Sequence, residues 1–212
     1  MLEQYASLRE SFPQNLPILL RHCWSLGKSG QLDGACEILR TAFAQQPDLQ
    51  HKRLIAQAAV AIPLEMGDAD LTEKQLKRYR TTIRDKQLLT YLEGQLAYLR
   101  KDYNLSYSKM NSVLETHRKD SSTSRELAKS ALQWIRRLAA DKTLADQVRR
   151  AAELTLRRSA LNRADEPVIR EEAQSLLNLL ETTDHDESPQ EMLPTIGRPE
   201  IETETKTEPS AE

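Results

Sequence analysis

Two cysteines, Cys23 and Cys36, and four histidines, His22, His51, His117 and His185, are the side chains that could hold a metal or serve redox chemistry. A metal site needs several such ligands at short, regular separations. The histidines stand at no such separation from either cysteine, so no metal and no cofactor is expected. On the two helices of one hairpin, the cysteines serve as small packing groups rather than a disulfide. Recognisable catalytic patterns are missing too: there is no glycine-rich phosphate loop, no HExxH pair and no Gly-x-Ser-x-Gly elbow. Nothing fixes a nucleophile beside a base, and a non-enzymatic role is expected. What the sequence does carry is the chemistry of contact. Trp24, Tyr91 and Tyr98 are aromatic groups of the kind that anchor protein segments. Lys74, Lys77, Arg78, Arg80 and Arg84 form a basic cluster, and the pairs Arg136-Arg137, Arg149-Arg150 and Arg157-Arg158 follow it, in a pattern able to meet phosphate backbones.

These groups need a frame. The chain has 212 residues, six glycines and two phenylalanines, and is rich in Leu, Ala, Gln, Glu, Lys and Arg, the residues that lose least on entering a helix. An all-α protein is expected. The formal charge of −2 divides unevenly: residues 183–212 carry nine acidic and two basic side chains, a net of −7, which leaves +5 on residues 1–182. The acidic segment also holds Pro189, Pro194, Pro199 and Pro209, and buries too little apolar surface to offset the entropy of ordering. Residues 1–182 are therefore expected to form one folded domain and 183–212 a disordered acidic tail. No stretch approaches the roughly 18 apolar residues of a membrane span, and the amino terminus lacks a basic region followed by an apolar run. A cytoplasmic location is expected.

Apolar residues recur at three and four positions through Leu16, Leu19, Leu20, Cys23, Trp24 and Leu26, and again through Ala35, Ile38, Leu39, Ala42 and Phe43, which predicts two amphipathic helices joined at Gly27 to Gly30. A short leading helix is expected over 2–11, before Pro13. Further helices are expected at about 50–66, 72–84, 86–100 and 104–118, with breaks at Gly67-Asp68, near Asp85 and at Lys101-Asp102. Ser121 to Ser124 offer N-caps, with Glu126 in capping-box spacing from Thr123, for a helix running to Ala140. Another helix starts at Thr143 to Asp146 and closes at Asn162 to Asp165. The last begins near Asp165, with Pro167 in its first turn, and caps the stack.

The turns at Gly30, Gly67-Asp68 and Lys101-Asp102 lie 37 and then 34 residues apart, a period that points to stacked helical hairpins. Residues 16–49 put Cys23, Gly30, Leu32, Ala35, Ala42 and Pro47 on characteristic positions of the 34-residue tetratricopeptide pattern, which this segment resembles. Residues 87–120 match through Gly94, the Lys101-Asp102 turn, Tyr103, Ser106 and Val113, but lack the closing proline. Residues 53–86 match only at the Gly67-Asp68 turn and at Leu54, Ala56 and Ala59, and residues 123–182 show no clear motif. A helical bundle with evenly spaced hairpins would read the same way.

The resemblance implies a right-handed α-solenoid whose first helices line a concave groove. Carried over, the groove receives Leu20, Trp24 and Lys28, then Leu54, Gln57, Ala61 and Leu64, then Leu88, Tyr91, Gln95, Tyr98 and Leu99. Mainly apolar and aromatic, it lacks the basic and Asn residues with which related domains clamp a chaperone's acidic carboxyl terminus. The implied function is a scaffold or adaptor binding an apolar or amphipathic segment of a protein partner. Intramolecular packing, for example of the helix around Tyr5, Leu8 and Phe12, would compete for the same surface. The second reading is a nucleic-acid-associated or regulatory protein using the basic helices around 74–84 and 136–158. The helices of 123–182 also offer a route to a homo-oligomer.

Overall fold

The computed structural model describes residues 2–12, 15–119, 124–162 and 166–183. Among them the chain is all-helical and contains no strand: α1 (Leu2–Ser11), α2 (Leu16–Lys28), α3 (Leu32–Gln45), α4 (Leu49–Glu65), α5 (Ala69–Ile83), α6 (Lys86–Leu99), α7 (Tyr103–Lys119), α8 (Arg125–Ala140), α9 (Asp146–Leu161) and α10 (Pro167–Thr183). The expected caps Ser121 to Thr123, the boundary residue Asp165 and residues 184–212 of the expected disordered tail lie outside the described residues. Thr183, expected at the start of that tail, is the last residue of α10.

Local chemistry sets most of the helix starts. The side chains of Asn15, Asp48, Asp68, Asp85 and Ser124 accept hydrogen bonds from backbone N–H groups of the first turns of α2, α4, α5, α6 and α8, at 2.7–3.2 Å. Such a cap contributes about 1 kcal/mol. At α5 the cap decides the boundary. Asp68 takes the Leu71 N–H at 2.8 Å, so the helix begins at Ala69 rather than at the expected Thr72.

The three turns that suggested a repeat share one backbone solution. Gly30, Gly67 and Lys101 adopt φ of +82°, +80° and +62°. After each, an N–H reaches back five residues: Gln31 to the Leu26 carbonyl, Asp68 to Pro63 and Asp102 to Ala97, all at 2.9 Å. These are Schellman closures, which satisfy helix-end carbonyls and require the left-handed region that glycine enters without a Cβ clash. Lys101 adopts it without that freedom. The turn between α8 and α9 differs: Asp141 is extended, and its Oδ1 accepts from the Thr143 N–H at 3.0 Å and from its hydroxyl at 2.6 Å.

Each helix packs on the next in sequence, and α2, α4, α6, α8 and α10 also touch one another in succession. Among α3, α5, α7 and α9, only the backbones of α7 and α9 come close, while α3 and α5 meet through the Phe43 and Tyr79 rings, whose centroids lie 5.0 Å apart. The result is a sequential stack of helical hairpins, compatible with a helical repeat. It is not a strict 34-residue one, because α2, α4, α6, α8 and α10 begin 33, 37, 39 and 42 residues apart. Buried side chains fall into two clusters. One runs from Leu16 to Leu96 and the other from Tyr91 to Leu177. They meet at α6, which gives Leu89, Leu92 and Leu96 to the first and Tyr91 to the second, while Leu88 packs against both. Each fully buried leucine among them contributes roughly 2 kcal/mol. No helix among the described residues is long and apolar enough to cross a membrane.

Candidate protein-binding face

The candidate face is the row formed by α2, α4 and α6. On α2, Leu16, Leu19, Cys23 and Leu26 point into the first core, with Cys23 fully buried and Leu19 at 7% exposure. Leu20 and Trp24 lie one step around the helix. They are half-buried and rest on that core without being enclosed by it. Leu54 of α4 and Leu88 of α6 have the same status, Gln57 is half-buried on α4, and Leu99 closes the carboxyl end of α6. The leading helix α1 packs against α2 and comes near no other described helix. It therefore extends the end of the stack and does not cross the row at α4 or α6. His22 of α2 is buried, which lowers its basicity, and the Arg9 guanidinium of α1 adds to the effect.

Four residues assigned to the groove are not accessible there. Ala61 and Leu64 are buried because α4 is flanked by α2, α3, α5 and α6 together. Tyr91 and Gln95 are each 2% exposed. Gln95 Nε2 donates to the Tyr91 hydroxyl at 3.1 Å, and Tyr91 belongs to the second core. The reason is the packing of α8 on α6, which covers the positions that a shorter stack would leave open. Burial also raises the pKa of the Tyr91 hydroxyl. Lys28 is exposed at the end of α2, close enough to Glu65 to oppose the rise that burial imposes on that carboxyl group.

Tyr98 is held by its own neighbours. Its ring meets Tyr103 and Trp134 edge-on, with centroids 5.4 and 5.2 Å apart. The Arg137 guanidinium lies 4.8 Å from the Tyr98 ring centroid and 5.0 Å from that of Trp134. The Tyr98 hydroxyl donates to Asp141 Oδ2 at 3.4 Å. Edge-to-face and cation–π contacts of this kind each contribute about 0.5–1.5 kcal/mol. Tyr98 thus fastens α6 to α8, and Arg137, read from sequence as one of a basic pair, is its clamp. No spacing rule links residues 98 and 137, which only the α6–α8 contact brings together.

The basic cluster is largely committed as well. Lys77 pairs with Glu73 at 2.7 Å and Arg80 with Glu93 at 2.9 Å, while Glu93 also takes Lys109 at 2.6 Å. Arg84, at φ +56°, closes α5. Lys74 and Arg78 line a cleft of about 380 Å³ between α3 and α5, facing Asp33, Glu37 and the free thiol of Cys36. This cleft has no sequence signature, because it depends on how far apart the backbones of α3 and α5 stand. Among the described residues, no group of three or more His, Cys, Asp or Glu side chains converges as a metal site. Compared with protein-family models, curated proteins and solved structures, the chain matches none.

Proposed function

We propose that this protein is a non-enzymatic scaffold or adaptor of tetratricopeptide type, which holds an apolar or amphipathic segment of a partner protein against the row of α2, α4 and α6. The observation that carries this reading is the half-buried pair Leu20 and Trp24 on α2, continued by Leu54 and Leu88 on the helices that touch it in succession. A half-buried tryptophan on a firm helical base loses little conformational freedom on binding, and interface energy concentrates in such residues. Gln57 supplies a polar group beside them, as segments with one apolar face require. Leu20, Trp24, Leu54, Gln57 and Leu88 form the contact set of this proposal.

A photo-cross-linking amino acid placed at Gln57 in the full-length protein tests it in cells. A discrete partner should be captured, and its yield should fall sharply in the Trp24→Ala background, since loss of an aromatic anchor costs about 2 kcal/mol or roughly thirtyfold in affinity. Capture that is unchanged by both Trp24→Ala and Leu20→Ala, in chains with a native circular dichroism spectrum, would sink the proposal. Capture that vanishes after nuclease treatment would favour nucleic-acid association.

A further inference from the structure

The two most exposed large apolar residues of the described chain, Leu154 at 63% and Leu161 at 78%, both lie on α9. They are seven residues apart and so share a face. Arg150, Arg157 and Arg158 fall within the same arc of the helix, on the side opposite the buried residues Val148, Ala152, Thr155 and Ser159. Arg157 pairs with Glu153 at 2.6 Å. Arg150 and Arg158 are exposed and meet no carboxylate among the described residues. A solvated helix face ordinarily keeps its leucines inward. Here two leucines alternate with cations on the outside, a pattern complementary to an acidic segment that also carries apolar residues.

The chain contains such a segment directly after α10 in sequence. Five residues connect α9 to α10 and the two helices pack together, so they run antiparallel, and Thr183 at the end of α10 lies beside the start of α9. Residues 184–212 follow, with nine acidic and two basic side chains and with Met192, Leu193, Ile196 and Ile201 among them. α9 has 16 residues, about 24 Å at 1.5 Å per residue. Ten extended residues can reach about 33 Å, so the stretch from Asp184 to Leu193 can follow α9 from Arg150 to Leu161. Asp186 and Glu187 then come within reach of Arg150, and Glu191, Met192 and Leu193 within reach of Arg157, Arg158 and Leu161.

We infer that the outer face of α9 is a docking surface for this chain's own acidic segment, Asp184 to Leu193, which neutralises Arg150 and Arg158 and covers Leu154 and Leu161. Attachment a few residues away gives the segment a high effective concentration, so weak contacts suffice to hold it. Charge-matched contacts at an exposed face are screened by salt, so the docked state loosens at high ionic strength. The arrangement regulates access to α9: a stronger acidic ligand must displace the segment first.

The test uses the full chain with Cys36→Ser and a nitroxide attached through Thr195→Cys, read by paramagnetic broadening of backbone amide signals. Docking predicts broadening along α9 from Arg150 to Leu161 that exceeds any on the outer faces of α7 and α10. It should fall by at least half in the Arg158→Glu variant, in Leu154→Ser, and in 0.5 M salt. These are surface substitutions, and an unchanged circular dichroism spectrum checks that each chain folds. Equal broadening in the parent and both variants reports only the tether and overturns the inference. Broadening transferred from labelled chains to isotope-labelled, nitroxide-free chains makes a second copy the occupant and overturns it too. Co-sedimentation of the full chain with phosphatidylserine vesicles, abolished by Leu161→Ser, would assign the face to a membrane surface instead. A Trp24→Ala chain that keeps the α9 broadening separates this inference from the fate of the proposed binding row.

Discussion

Replacing Gly27 by alanine tests how closely α2 and α4 are set. A Cβ built at Gly27 would lie 2.7 Å from Ile62 Cγ2, whereas carbon atoms in good contact sit about 3.5–4.0 Å apart. Ile62 is fully buried and β-branched, so in a helix its Cγ2 is held in one preferred rotamer and cannot swing aside. The new methyl group must push α2 away from α4 by the better part of an ångström. Overpacking of this kind costs about 1–3 kcal/mol, while the exchange of glycine for alanine in a helix returns at most about 1 kcal/mol. A net loss of about 1–2 kcal/mol is expected for Gly27→Ala, measured by urea unfolding followed by circular dichroism. In an Ile62→Ala background the obstructing methyl is gone, and the same substitution should become neutral or stabilising by up to about 1 kcal/mol. Gly34→Ala, where no atom lies within 4 Å of the added carbon, serves as the control and should stabilise by a few tenths of a kcal/mol, or up to about 1. Equal effects of Gly27→Ala in the two backgrounds would refute the reasoning, because the loss would then owe nothing to the contact between α2 and α4.

Lys101→Gly should stabilise the protein by about 0.5–1 kcal/mol, raising Tm by a few degrees in calorimetry, because it relieves a left-handed backbone at φ +62°. Arg137→Ala should destabilise by about 1–2 kcal/mol in urea unfolding, since it removes cation contacts to both Tyr98 and Trp134. With iodoacetamide at pH 8, mass spectrometry should show slow modification of the half-buried Cys36 and none of Cys23, whose thiol burial pushes up to about 12. An acid with a raised folded pKa favours folding fully only while it stays protonated in the unfolded chain as well. Stability from Cys23 should therefore decline as the pH climbs from about 8.5 towards 12, and the decline should be smaller in Cys23→Ala.

Much of the helical order was legible in the residues themselves, because it rests on interactions a few positions apart. Gly30 and Gly67 announce left-handed turns, and Asp102 follows Lys101 as an N-cap, its Oδ1 taking the Leu105 N–H at 3.1 Å. The apolar stripe of α2 likewise forecast which of its residues enter the core, as the burial of Leu16, Leu19, Cys23 and Leu26 shows. α5 starts three residues before the expected position 72, because Asp68 caps it by accepting from the Leu71 N–H at 2.8 Å. The composition of the proposed binding row was another matter. Leu20 and Tyr91 occupy the same place in the implied repeat, yet Leu20 stays half-exposed and Tyr91 is enclosed. The difference is α8, whose Trp134 and Arg137 close over α6, whereas Leu20 and Trp24 on α2 are half-buried. Sequence by itself determined where helices begin, where they turn and which stripe of each is apolar, since these follow from backbone dihedrals, caps and a 3.6-residue period. Only the tertiary structure decided which apolar residues remain within a partner's reach, because exposure depends on the neighbouring helix that arrives from far along the chain.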